Sequence, residues 1–246
     1  MNSRRTAVQV ENLQFSYEEE IVLEDVSFCL EEKDFLGVVG PNGGGKTTLL
    51  KILLGLLKAD SGIVEIFGQP PRLASRLIGY VPQQINLDKD FPINVEDVVL
   101  LGRLGEAPAV GRYRPQDREL AENALAKVDL AEFRYHRFGN LSGGQRQRAL
   151  IARALVGGPR MLIMDEPTAN VDSRSQKRIY DLLSALNEEC AIILVSHDLG
   201  VVSQQVKHVA CLNRRLVMHP TNQITGAMIE DMYHVPMKLV DHGQIV

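Results

Sequence analysis

Apolar and polar residues alternate, with interruptions, in two N-terminal stretches, VQVENLQFSY (8–17) and IVLEDVSFCL (21–30). A period of two predicts β-strands, and the acidic turn Glu18–Glu20 between them predicts an antiparallel hairpin. FLGVVG (35–40) is instead a continuous apolar run closed by Gly and Pro, the pattern of a strand buried on both faces. TTLLKILLGLL (47–57) has helical spacing and is expected to end near Lys58 and Asp60. SGIVEIFG (61–68) and LIGYVPQ (77–83) predict further strands.

From about Asn86 to Asn140 the pattern becomes helical. DVVLLGRL (97–104) and RELAENALAKVDL (118–130) flank a Gly- and Pro-punctuated stretch at 102–115. Strand and helix then alternate: helix 143–156, strand RMLIMD (160–165), helix 174–189, strand AIILVS (191–196). Such alternation implies a mostly parallel sheet covered by helices, the α/β class. The chain beyond Asn213 yields no pattern.

Composition changes little in this picture. The 246 residues are 45% hydrophobic and 24% charged, with a net charge of −4, which suits a globular core. No long basic block is present, so a sequence-independent grip on nucleic acid is not expected. Cys29, Cys190 and Cys211 are far apart and lack metal-site spacing. They are expected to be buried small hydrophobes in a reducing compartment. The N-terminal MNSRR is not followed by an apolar run, so no signal peptide is expected. No apolar stretch approaches the ~20 residues that span a bilayer. If the protein works at a membrane, other chains must cross it.

Candidate chemistry sharpens the reading. GPNGGGKT (40–47) fits the phosphate-binding pattern G-x-x-x-x-G-K-T, after an apolar strand and at the start of a helix. Gly40, Gly43, Gly44 and Gly45 let the backbone, with Pro41 and Asn42, curl its N–H groups around phosphate oxygens. The helix N-terminus adds partial positive charge. Lys46 reaches the β- and γ-phosphates and the Thr47 hydroxyl can bind Mg²⁺, with Thr48 following. This places the chain among P-loop nucleotide-binding proteins, a class that spans many activities.

LSGGQ (141–145) supplies Ser142 and, three residues on, Gln145, which form a capping box for helix 143–156. Gly143 and Gly144 leave the first amides bare, so this helix end can also hold an anion. The strand MLIMD ends in Asp165 and Glu166 at the carboxyl edge of the sheet, where ligands sit in open α/β folds. Asp165 is placed to hold Mg²⁺, and Glu166 to act as general base on a water.

The order Tyr17, GPNGGGKT, Gln83, LSGGQ, Asp165–Glu166, ANVD (169–172) and His197 resembles the ABC ATPase family over residues 8–220. The resemblance implies a P-loop core with a mostly parallel sheet, an N-terminal antiparallel β subdomain and a helical insert at about 86–158, leaving 213–246 as a short extension. It implies that Tyr17 stacks on adenine and that Gln83 senses Mg²⁺ and the attacking water. It implies that Asp172 crosses a dimer interface and that His197 contacts the γ-phosphate. Two departures stand out: GGGKTT replaces a commoner serine-bearing loop, and ANVD replaces SALD.

Since one chain carries one P-loop and one LSGGQ, the resemblance implies a head-to-tail dimer that sandwiches two ATP molecules. The further partners implied are integral membrane permease subunits, docked near Gln83–Phe91, and, indirectly, an extracytoplasmic substrate-binding protein. The expected location is the cytoplasmic face of the cell membrane. The short length, GPNGGGKTTLLKILLGLL, IGYVPQ and CLNRRLV look like the zinc/manganese-type importer ATPases of bacteria, with iron-complex importers as the competitor. A carbohydrate-type C-terminal domain is not expected. His208, His219, His234 and His242 have spacing that fits no compact metal site. A soluble ABC ATPase acting on nucleic acid, or a small-molecule P-loop kinase, fits less well.

Overall fold

In the computed structural model, the residues described are 5–83, 91–105, 113–169, 171–197 and 206–220. The hairpin consists of β1 (Thr6–Tyr17) and β2 (Glu20–Glu31), with Glu18 in the turn at a φ of 52°. The interrupted alternation has a local cause. Val8 and Val10 face the core, then an extra residue intervenes before Leu13 and Phe15. Asn12 takes up that bulge at a φ of 48°, and its backbone N–H donates to Ser27 Oγ at 2.8 Å. β4 (Ser61–Ile66) pairs antiparallel with β1, which gives a three-stranded sheet in the order β2-β1-β4.

The larger sheet has six strands. They are β3 (Phe35–Val39), β5 (Ile78–Val81), β6 (Met161–Asp165), β7 (Ala191–Val195), β8 (His208–Asn213) and β9 (Arg215–Pro220). Their order is β5-β6-β7-β3-β8-β9, parallel except for the β8–β9 hairpin. β3, β6 and β7 are buried at every residue. Successive side chains therefore serve two different cores. Ile163 and Ile193 pack toward the antiparallel sheet and α1 (Lys46–Leu53). Leu162, Leu194 and Phe35 pack toward the other helices. Both faces being covered explains why these strands read as unbroken apolar runs.

Between β5 and β6 lie α3 (Val95–Leu100), α4 (Pro115–Lys127) and α5 (Gly143–Leu155), which pack on one another. α2 (Pro71–Ala74) is a single turn before β5, and α6 (Ser173–Asn187) joins β6 to β7. A buried charge cluster braces this helical region. Glu96, 2% exposed, accepts from Arg118 at 3.0 Å and Arg134 at 2.6 Å. Glu96 is the acceptor the two guanidinium groups share, and Arg134 also donates to Glu122 at 2.7 Å.

Several expectations change. The first helix ends at Leu53 rather than near Lys58, because the chain turns at Gly55 with a φ of 70°. A Cβ there would stand 2.8 Å from the Arg72 backbone nitrogen, so a side chain cannot fit. Cys29 lies on the outer face of β2 and is exposed, whereas Cys190 is buried and Cys211 is partly so. Beyond Asn213 the chain continues as β9, turning at Arg214 with a φ of 60°. His208 and His219 are partly exposed on that hairpin, and His234 and His242 lie outside the described residues.

Candidate active site

Four of the parallel strands end at one edge, and the residues that follow them converge there. The loop after β3 leads from Gly40 to α1. Gln83 stands two residues beyond β5, Glu166 directly after β6, and His197 two residues beyond β7. Together with Tyr17 and Val22 of the hairpin they line a cavity of about 1010 Å³. The wall also contains Gly40, Pro41, Asn42, Gly43, Gly45, Lys46, Thr47, Thr48 and Asp165.

The loop's conformation depends on missing side chains. Gly45 has a φ of 96° and caps α1, and a Cβ on it would meet Leu23 Cδ2 at 2.7 Å. A Cβ on Gly44 would lie 2.8 Å from the Leu212 carbonyl oxygen of β8. Gly44 is held behind the cavity wall, where its carbonyl accepts from the Arg214 N–H at 3.1 Å. Gly43 has a φ of 79° and open space around it.

Charge is concentrated and desolvated here. Lys46 is 7% exposed, and its Nζ donates to the Gly40 and Pro41 carbonyls at 2.8 and 2.9 Å. Burial lowers its pKa, and the nearby Glu166 and Asp165 partly restore it. Burial raises the pKa of Asp165, as does the Glu166 carboxylate. Lys46 and a hydrogen bond with Thr47 oppose that shift. Two carboxylates thus face one buried ammonium, and the Thr47 hydroxyl bonds one of them, Asp165. This hard-oxygen, net-negative set fits a divalent cation such as Mg²⁺.

Gln83 Nε2 donates to Glu166 Oε2 at 2.7 Å, and His197 Nδ1 lies 3.4 Å from the same oxygen. The three expected residues are therefore in direct contact across adjacent strands. Glu166 sits at a φ of 46°, a conformation that L-residues rarely adopt, fixed by its N–H donating to Val195 O at 2.9 Å. Such strain is characteristic of functional positions. Tyr17 is 45% exposed, with its ring edge-on to Phe15 at 4.9 Å. Val22 beside it was not foreseen; it follows from the hairpin register, which returns β2 alongside Tyr17.

The remaining expected residues lie elsewhere. Leu141, Ser142, Gly143, Gly144, Gln145 and Asp172 do not line this cavity. Ser142 caps α5: its Oγ accepts from the Gln145 N–H at 3.2 Å, and Gln145 Oε1 accepts from the Ser142 N–H at 2.9 Å. Leu141 is 5% exposed and anchors the motif in the core. A Cβ on Gly144 would meet Ser175 Cβ at 2.6 Å, so α5 and α6 touch through this glycine. Asp172 caps α6 by accepting from the Ser175 N–H at 3.0 Å, which lowers its pKa.

A phosphate loop after a buried strand, two acids after the next strand but one in the sheet, and a separate capped Ser-Gly-Gly-Gln turn define an ATP-hydrolysing cassette. The family profile described as ABC transporter matches residues 23–169, and the chain belongs to that family as an ATP-binding subunit. Curated relatives agree over most of the length. A "Probable metal transport system ATP-binding protein" of Chlamydia trachomatis is 44% identical, with 86% of this chain and 88% of the relative aligned. The "Zinc uptake system ATP-binding protein ZurA" of Listeria innocua is 40% identical over 85% and 84% of the two chains. The "Manganese transport system ATP-binding protein MntB" of Bacillus subtilis is 37% identical over 88% of each.

Among solved structures, an inward-facing ABC transporter described as of metal-chelate type superposes with a TM-score of 0.86 at 30% identity, covering 94% of this chain and 90% of the other. A dimeric cassette bound to ADP and Pi gives a TM-score of 0.73 at 28% identity, covering 88% and 100%. No helix among the described residues is long and apolar enough to cross a membrane.

Proposed function

We propose that this ATPase powers the import of a divalent metal ion, zinc or manganese, through a membrane permease. The observation that carries the catalytic part is the contact of Gln83 and His197 with one oxygen of Glu166 beside the phosphate loop. Tyr17 and Val22 present apolar surface to the adenine. The amides of Gly40–Thr48 and the Lys46 ammonium hold the phosphates. Thr47, Asp165 and Gln83 would hold Mg²⁺, which supplies charge neutralisation at the β- and γ-phosphates. Glu166 accepts the proton of the attacking water, while Gln83 and His197 orient the carboxylate and the γ-phosphate.

Leu141–Gln145 and Asp172 serve a second copy of the chain, which supports a head-to-tail dimer with two ATP molecules between copies. The helical region carries exposed Phe91, Leu101 and Leu104, apolar residues suited to a permease loop at the cytoplasmic face of the membrane. An extracytoplasmic binding protein would deliver the ion to that permease.

The relatives' names support zinc or manganese. The metal-chelate neighbour favours a second reading, uptake of an iron complex. Elemental analysis of cells whose only copy is Glu166→Gln separates the two. Loss of cell zinc or manganese with iron unchanged is the expected result, and loss of iron alone would replace the first reading with the second.

A further inference from the structure

Arg148 stands on α5 three residues past the Ser142–Gln145 cap. Its side chain is only 14% exposed. The guanidinium Nη1 donates to the Val128 carbonyl at 2.6 Å and to the Asp129 carbonyl at 3.1 Å. Both lie at the end of α4, which closes with Val128 as C-cap, followed by Asp129 at a φ of 54°. The last carbonyls of a helix have no partner within it and carry partial negative charge. A cation contributed by another helix both satisfies them and binds the two helices together.

Burial lowers the pKa of Arg148, and Arg178 on α6 acts in the same direction, while the Asp129 carboxylate at 4.0 Å opposes it. On this side of the molecule a cleft of about 690 Å³ separates the α4 end from α6, with Gln145, Glu132 and Leu182 in its walls. α4 packs along α5, and the Arg148 bridge ties its last turn to the N-terminal half of α5, on the side of the Ser142–Gln145 cap.

We propose that Arg148 is a positioning residue. By holding the end of α4, it fixes the direction in which Ser142–Gln145 faces the nucleotide bound by a second copy. This rests on the two-copy reading above. Arg148 touches neither nucleotide nor water, so it acts on assembly of the composite site and not on binding to one chain.

The test uses the full chain in a Glu166→Gln background, following ATP-driven dimerisation by light scattering and monomer ATP affinity by fluorescence titration. Adding Arg148→Gln is expected to leave monomer affinity within about twofold. It should raise the ATP concentration for half-dimerisation by more than about tenfold, the effect of losing one charge-assisted hydrogen bond. Arg148→Lys, which keeps the charge and one donor to the carbonyls, should recover part of that loss and serves if the Gln variant does not fold. Equal dimerisation of parent and Arg148 variants would overturn the proposal alone. A parallel loss of monomer affinity would reveal a merely structural role and also overturn it. A parent that stays monomeric with ATP would instead defeat the two-copy reading.

Discussion

Lys46 and Asp165 are each 7% exposed, packed against other charged groups with little water to shield them. Ser142 and Asp172, in contrast, are exposed, and each is engaged with the amides of its own helix. The first region holds desolvated charge of both signs facing an open cavity. The second has its cap side chains engaged within their own helices, Ser142 with the Gln145 N–H and Asp172 with the Ser175 N–H. The difference suggests a division of labour. One region stores the tendency to bind a charged molecule, and the other stays inert in solution until a matching surface arrives.

The largest expected effect that would break this contrast comes from Glu166→Gln. Loss of the proton acceptor should lower turnover by about 10²–10⁴-fold while ATP binding persists. Phosphate release under single-turnover conditions measures it, and wild-type rates would remove Glu166 from its role. Next is Lys46→Ala, which deletes the buried ammonium. ATP affinity should fall by about tenfold to a hundredfold, read by equilibrium titration.

A smaller effect is expected from Ser142→Ala. The lost cap should cost about 1 kcal/mol of stability, with ATP affinity of the single chain unchanged. Denaturant unfolding and titration together check both halves, and an affinity change would mean that the two regions are not independent.

The smallest effect comes from Asp165→Asn. The folded pKa of Asp165 lies above its ordinary value of 3.8, so the ionised group opposes folding at neutral pH. That penalty disappears as the pH falls through the raised value toward 3.8. The variant should therefore melt at a slightly higher temperature than the parent. A lower Tm would show that Lys46 and Thr47 outweigh burial.

Much of this arrangement was legible in the sequence because it resides in short local patterns. The run FLGVV, the loop glycines and the acids after MLIMD each fix their own backbone and strand end. The Ser142–Gln145 cap could be read from its spacing of three. What escaped depends on long-range pairing. β9 is a short hairpin strand with an Arg pair at its start, and only the register Cys211–Val217 against β8 makes it a strand. β4 reads like any other strand, yet it joins β1 rather than the parallel sheet. The exposure of Cys29 follows from the Asp25 bulge, at a φ of 50°, which resets the faces of β2. The Arg148 bridge needs two carbonyls nearly twenty residues away, and no local pattern announces those.

The contact between the phosphate loop and the β8–β9 hairpin has a consequence for how this protein can change over generations. What stands against Gly44 is the carbonyl oxygen of Leu212, a main-chain atom that every amino acid possesses. Replacing residue 212 cannot trim it away. A harmful Gly44→Ala variant would therefore have no second-site suppressor at its point of collision. Revertants selected for restored growth should be true reversions or changes that shift the whole hairpin, so the loop is held by a constraint that mutation of its neighbour cannot relieve.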